Sequence, residues 1–216
     1  MSTLSEPLPS HAALMDATYC RQRHIYDATR RFFLLGRNRL IAELDPPPHG
    51  HVLEIACGTG RNLALIAEWY PGRRLYGLDI STQMLASARR RLGGRAILAE
   101  ADACDFDARS AFGTARFERI ILSYSLSMIP DWTRALGTAA EHLAPGGQLH
   151  VVDFGDQADL PAWFRRALRD WLARFHVEPH RDLGDAMARH AAELGGTLRW
   201  APLHGDYAQY GVLTRG

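Results

Sequence analysis

The sequence contains no lysine; all 25 of its basic residues are arginine. Schiff-base chemistry and a phosphate-binding P-loop, which both require a lysine, are thereby excluded. Cysteine is scarce as well. Cys20, Cys57 and Cys104 are odd in number and far apart, giving neither a disulfide framework nor zinc-ligand spacing, as suits a reducing compartment. His176 and His180 stand four apart, but Pro179 breaks the helix that would align them, so no metal site is expected. No apolar run approaches the roughly 18–20 residues that span a bilayer. The first residues lack a basic-then-apolar leader pattern, and Glu6, Pro7 and Pro9 oppose one, so a soluble, cytoplasmic protein is expected. Charge of one sign is also missing. The 25 basic and 24 acidic residues leave a formal net charge of +1, which excludes a uniformly polybasic nucleic-acid binder.

What is present is ordinary globular material: 216 residues, 47% hydrophobic and 23% charged. A chain of this length fits one domain and buries enough surface to need no metal or disulfide. Residues 1–13 read as a frayed arm, and residues 15–44 as helix, with Tyr19, Ile25, Tyr26, Phe32, Phe33 and Leu40 among arginines. Pro46-Pro47-Pro48-His49-Gly50 ends that helix, so residues 1–46 form an N-terminal segment and 47–216 the core. From there strands and helices alternate. Strands are predicted at 51–55, 74–79, 95–100, 119–124 and 148–154, and helices at 62–69, 81–91 (capped by Ser81) and 132–143. Such alternation implies parallel strands joined by right-handed crossovers, a doubly wound α/β sheet. Helices near 161–175 and 183–194 follow. Two strand-like runs, 197–203 and 207–214, are then joined by His204-Gly205-Asp206 as a hairpin, so the sheet should end antiparallel.

The most informative segment is Val52-Leu53-Glu54-Ile55-Ala56-Cys57-Gly58-Thr59-Gly60-Arg61-Asn62, a buried strand entering a glycine turn that opens a helix. Open α/β sheets bind ligands at such a place. A dinucleotide fingerprint requires a third glycine three residues after Gly60, where Leu63 stands, and Glu54 would put a carboxylate close to any pyrophosphate. A cationic, phosphate-free adenosine ligand suits this loop better. Asp79, 19 residues after Gly60 at the end of the second strand, is placed to accept both ribose hydroxyls. Asp102 and Ala103, just past the third strand, can meet an adenine edge.

Residues 52–154 resemble the class I S-adenosylmethionine-dependent methyltransferases. The resemblance implies a Rossmann-like, mostly parallel seven-stranded sheet whose last strand is antiparallel, with S-adenosylmethionine as cofactor. It implies that Glu54, Ala56, Gly58, Gly60 and Asn62 line the methionine part and that Asp79 holds the ribose. Ile80 and Met84 join that cofactor set, Asp102 and Ala103 meet adenine, and Ser123 lies beside the transferred methyl. Ala56 departs from the usual motif, which has glycine there; the added methyl should narrow the loop. In related folds an N-terminal helical lid bearing a Tyr-Asp pair closes over the cofactor, and a following arginine pairs with its carboxylate. Tyr26 and Arg39 are the candidates, with Arg37 as the alternative; a solvated basic helix face is the other reading of residues 21–39.

Three segments, residues 21–39, residues 123–132 and the stretch from Trp163 to His176, are similar to bacterial diacylglyceryl-homoserine N-methyltransferases. Those enzymes add three methyl groups to a lipid amine to complete a betaine lipid. Leu160, Trp163, Phe164, Ala167, Leu168, Trp171, Leu172 and Phe175 form an apolar stripe at helical spacing, with Arg165, Arg166, Arg169 and Arg174 opposite. Such a stripe either packs on a core or lies in a membrane interface; here Trp163, Phe164, Arg165, Arg166, Arg169 and Trp171 are the candidate contacts with the inner membrane face. The acceptor amine must be unprotonated, and Tyr124 and Tyr26 are the candidates to receive its hydrogen bond. Asp131, Asp153 and His150 are weaker candidates. Phosphatidylethanolamine and a quinone ring are alternative acceptors. A nicotinamide-dependent oxidoreductase and a catalytically silent cofactor-binding protein are alternatives of another class. Nucleic acid is not an expected partner, since Ser123-Tyr124-Ser125-Leu126 stands where an Asn/Asp-Pro-Pro-aromatic tetrapeptide would.

Overall fold

Alternating buried strands and amphipathic helices leave each strand end at a turn, and those turns build the site. The computed structural model describes residues 34–175 and 177–216. Within them the chain forms α1 (Arg37–Ala42), β1 (His51–Ile55), α2 (Arg61–Trp69), β2 (Arg74–Asp79), α3 (Thr82–Leu92) and β3 (Ala96–Glu100). Then come α4 (Ala108–Phe112), β4 (Phe117–Ser123), a 3-10 turn (Leu126–Met128), α5 (Trp132–Glu141) and β5 (Leu143–Phe154). The chain closes with α6 (Ala162–Ala173), α7 (Leu183–Glu193), β6 (Thr197–Leu203) and β7 (Ala208–Thr214).

The seven strands lie in the order β3-β2-β1-β4-β5-β7-β6. The first five are parallel, and β7 runs antiparallel to both β5 and β6, as the hairpin predicts. The chain leaves β1 toward β2 on one side and β4 lies on the other, so the order reverses at β1. A crevice opens there, beyond the carboxyl ends of the strands. Leu53, Ile120, Leu136, Met187 and Leu213 fill the core on one face; Leu40, Leu63, Ile66, Leu85, Leu168 and Leu172 fill it on the other. At Gly77, in the middle of β2, a Cβ would come within 2.8 Å of Leu63 and 2.9 Å of Cys57 and Leu98, so the layer above closes directly on the backbone.

Several boundaries differ from those predicted. Of the helix expected over 15–44, the described residues show Arg37–Ala42, which starts after Gly36 at φ 84°, where a Cβ would meet Leu203 at 2.6 Å; residues 1–33 lie outside the described residues. Helix α5 stops at Glu141, and β5 runs straight through Pro145-Gly146-Gly147. The pairing accommodates this by a bulge: Phe117 faces Leu143 and Arg119 already faces Gln148. Two short elements escape the sequence pattern, α4 and the 3-10 turn. The first is one turn long, set by Asp107 accepting from Arg109 N and by Gly113 at φ 72°.

Candidate active site

Beyond β1 the chain turns sharply. Ala56, Gly58 and Gly60 all take left-handed backbone, at φ 54°, 53° and 70°. Two are glycines, for which this is free; for alanine it costs about 1–2 kcal/mol. The turn is pinned from three sides. Cys57 N donates to the Leu78 carbonyl at 2.9 Å, Gly58 N to Asp79 Oδ2 at 2.7 Å, and Arg91 Nη1 to Thr59 Oγ1 at 2.6 Å. Asp79 Oδ1 accepts from Ser81 N at 2.9 Å, so this carboxylate orders both the turn and the start of α3.

Two cavities meet over this turn. The larger, about 250 Å³, is lined by Asp79, Ile80, Met84, Asp102, Ala103 and Ser123, with Tyr124, Ser125 and the 128–131 segment at one wall. The smaller, about 60 Å³, is lined by Leu34, Arg37, Glu54, Thr59, Arg61 and Asn62. Ala56, Gly58 and Ser123 line both. Charge differs between the two: the ionisable side chains of the larger include Asp79, Asp102 and Asp131, whereas the smaller sets Arg37 and Arg61 against Glu54. Glu54 is almost wholly buried. Burial pushes its carboxyl up to about 8, against the opposing pull of the Asn62 amide and the Arg37 charge. Asn62 Nδ2 donates to Glu54 Oε1 at 2.6 Å, while Glu54 Oε2, Asn62 Oδ1 and the Ser123 and Ser125 hydroxyls are buried without a hydrogen-bond partner among the described residues.

Residues 52–147 match a family model described as "Methyltransferase domain". The ubiquinone/menaquinone biosynthesis C-methyltransferase of Bordetella parapertussis is 31% identical over 179 residues, covering 78% of this chain and 68% of that one. The chain belongs to the class I S-adenosylmethionine-dependent methyltransferases. The trans-aconitate 2-methyltransferase of an Acidovorax strain is 33% identical over 57% of this chain and 45% of its own, so the chain spans about half the length of such relatives. Among solved structures, the Haemonchus contortus phosphoethanolamine N-methyltransferase 2, in complex with phosphomonomethylethanolamine and S-adenosylhomocysteine, superposes with a TM-score of 0.73. It is 15% identical, with 96% of this chain and 60% of that one covered, and shows the shared fold.

The residues present fit the methyltransferase cofactor. Unpartnered buried acceptors on Glu54 and Asn62 would hold its ammonium, Arg37 its carboxylate, Asp79 the ribose, and Asp102 with Ala103 the adenine. Gly58 leaves the passage clear, since a Cβ there would meet nothing within 4 Å. Asp102 is exposed and already accepts from Cys104 N at 2.9 Å, which fixes its direction. Met84 is buried and Ile80 half-buried, both on the larger cavity's wall.

Three predicted placements are corrected. Arg39 does not reach the cavities: its Nε donates to Glu43 Oε1 at 2.6 Å and its guanidinium lies 5.5 Å from the Tyr210 ring. Residues two apart on a helix point to opposite sides, and the buried face of α1 carries Arg37, Leu40 and Ile41, so Arg37 takes the position beside Glu54. His150 lines neither cavity. It is fully buried between the Tyr210 hydroxyl (3.0 Å) and Gln148 Oε1 (3.2 Å), and burial holds its imidazole down at about 3. Asp153 is likewise enclosed, accepting from Ser127 N and Phe154 N. Arg169 is tied to Asp156 at 2.7 Å and to Gln157, and its side chain stays exposed on the surface. Tyr26 lies outside the described residues.

Tyr124, immediately past β4, is buried at φ 54° and lines the larger cavity. Its hydroxyl donates to the Leu35 carbonyl at 2.5 Å, and burial raises it well above the ordinary tyrosine range. It therefore stays neutral and keeps its oxygen lone pairs available. Sequence reading missed Ser125, Met128, Ile129 and Pro130. Their signal was the Ser-Leu-Ser-Met run itself, whose 3-10 turn folds these residues back over the crevice.

Proposed function

We propose that this chain methylates the amine of a diacylglyceryl-homoserine lipid, successively to the trimethylated betaine lipid, working from the cytoplasmic face of the membrane. When bound, S-adenosylmethionine supplies an electrophilic methyl on a sulfonium. The chain's own groups position the acceptor. The Tyr124 oxygen, with its proton committed to Leu35, accepts an N–H, and the Ser123 and Ser125 hydroxyls offer two further polar contacts beside it. A cavity that desolvates the amine favours the neutral nucleophile, and orientation alone supplies about 7–11 kcal/mol.

One observation carries the lipid reading. Helix α6 buries Leu168 and Leu172 in the same core as Tyr124, with Phe164, Trp171 and Phe175 packed against it, yet leaves Trp163 74% exposed beside the exposed Arg166. An apolar stripe that is mostly core thus ends in an uncovered indole flanked by cationic side chains, which suits a membrane interface. Among the described residues no helix is long and apolar enough to cross a membrane. Incubating the enzyme with labelled S-adenosylmethionine and vesicles containing diacylglyceryl-homoserine, phosphatidylethanolamine or neither, then identifying lipids by mass spectrometry, tests this. Trimethylated homoserine lipid is expected; phosphatidylcholine alone overturns the choice.

A second reading has support of its own, because the relative 31% identical over 78% of this chain is named for C-methylation of ubiquinone and menaquinone. A demethylated quinone in the same vesicles, methylated in preference to the amine lipid, would establish it.

A further inference from the structure

Ala56 is the one non-glycine among the three left-handed positions of the turn. Backbone strain retained at a site is a pointer to function, and the position of this alanine says which. The larger cavity suits an adenosine and the smaller an amino-acid group, so the sulfur that joins them falls where the cavities meet. Three residues line both, namely Ala56, Gly58 and Ser123. Gly58 contributes no side chain, and Ser123 contributes a hydroxymethyl whose oxygen is itself buried. Of the three, Ala56 is therefore the one that can bring an apolar side chain to the neck.

We propose that Ala56 is a specificity-determining residue that gauges the alkyl group on sulfur, admitting a methylsulfonium and excluding larger S-alkyl groups. The inference rests on the cofactor spanning the two cavities and is independent of which acceptor is methylated. A glycine here would relax the turn but widen the neck by a methyl; the strain is the cost of keeping that methyl. One methylene too many in an apolar pocket is worth about 10–200-fold in discrimination.

Calorimetric titration with S-adenosylmethionine and with its S-ethyl homologue tests the assignment, and S-adenosylhomocysteine serves as the control for cofactor seating. The wild-type protein should bind the ethyl compound at least about tenfold more weakly than the methyl compound, and Ala56→Gly should bring the two within about twofold. Equal affinities in the wild type, or a ratio unchanged by Ala56→Gly, overturn the proposal. Failure of the wild type to bind S-adenosylhomocysteine would instead show that the cofactor does not sit across the cavities at all. If Ala56→Gly does not fold, Ala56→Ser provides the reverse measurement. Its bulkier side chain should weaken S-adenosylmethionine more than the methyl-free S-adenosylhomocysteine, and equal weakening refutes the gauge.

Discussion

Binding of S-adenosylhomocysteine should expel a proton from Glu54. Burial raises this carboxyl to about 8 in the ligand-free protein, so at pH 7 about nine molecules in ten carry the proton. A ligand ammonium beside Oε2 favours the carboxylate; a unit charge about 4 Å away contributes about 4 kcal/mol at an effective dielectric of about 20, enough to bring the bound carboxyl below 6. About 0.9 proton should then leave per ligand at pH 7, and the Kd should fall nearly tenfold between pH 6 and pH 7. The ligand's own amino group must stay protonated throughout, so the assay stays at or below pH 7. Calorimetry in buffers of different ionisation enthalpy reads the released proton directly, and Glu54→Gln should abolish it. A wild-type enthalpy independent of buffer, or the same proton release in Glu54→Gln, would refute the reasoning. The stability linkage has the matching sign. Because the folded carboxyl titrates above the unfolded one at 4.5, the unfolded chain sheds its proton first. The ligand-free protein therefore loses stability as pH rises from about 4.5 to about 8, and the Tm gain from S-adenosylhomocysteine should widen from pH 6 to pH 7.

Asp79→Ala should weaken S-adenosylhomocysteine binding by about 1.5–3 kcal/mol in calorimetry, since Gly58 N and Ser81 N lose their acceptor along with the ribose; unchanged affinity removes the assignment. Gly77→Ala should lower stability by about 1–3 kcal/mol in urea denaturation, because its methyl would meet Leu63, Cys57 and Leu98 inside 3 Å; an unchanged midpoint contradicts the packing described. Trp163→Ser should reduce sedimentation with anionic vesicles without lowering Tm, given its 74% exposure, whereas undiminished vesicle binding would count against the membrane face.

How much of this was legible beforehand depended on range. Elements set by local pattern, such as β1, β2, α3 with its Ser81 cap and the closing hairpin, stand within a residue or two of their predicted bounds. Pro145-Gly146-Gly147 reads locally as a break, but the pairing of Phe117 with Leu143 carries the strand through it, and that contact is not local. The site divides in the same way. Glu54, Gly58, Asp79 and Asp102 announce themselves because each stands at a characteristic place at or just past the end of a strand. Arg37 and Arg39 could not be separated by composition; only the docking of α1, with Leu40 and Ile41 inward, decides which arginine faces Glu54. His150 and Asp153 look chemical as strand-end polar residues, and burial with satisfied hydrogen bonds makes them structural. The wall formed by Ser125, Met128, Ile129 and Pro130 was hidden because a three-residue 3-10 turn has too little periodicity to be seen.

The crystal structure of the full chain with S-adenosylhomocysteine tests the central assignment most directly. Continuous ligand density is expected from Arg37 and Glu54, through the neck at Ala56 and Ser123, to Asp79 and Asp102. An empty crevice at saturating ligand, or the nucleoside lying anywhere but against Asp79, would contradict it.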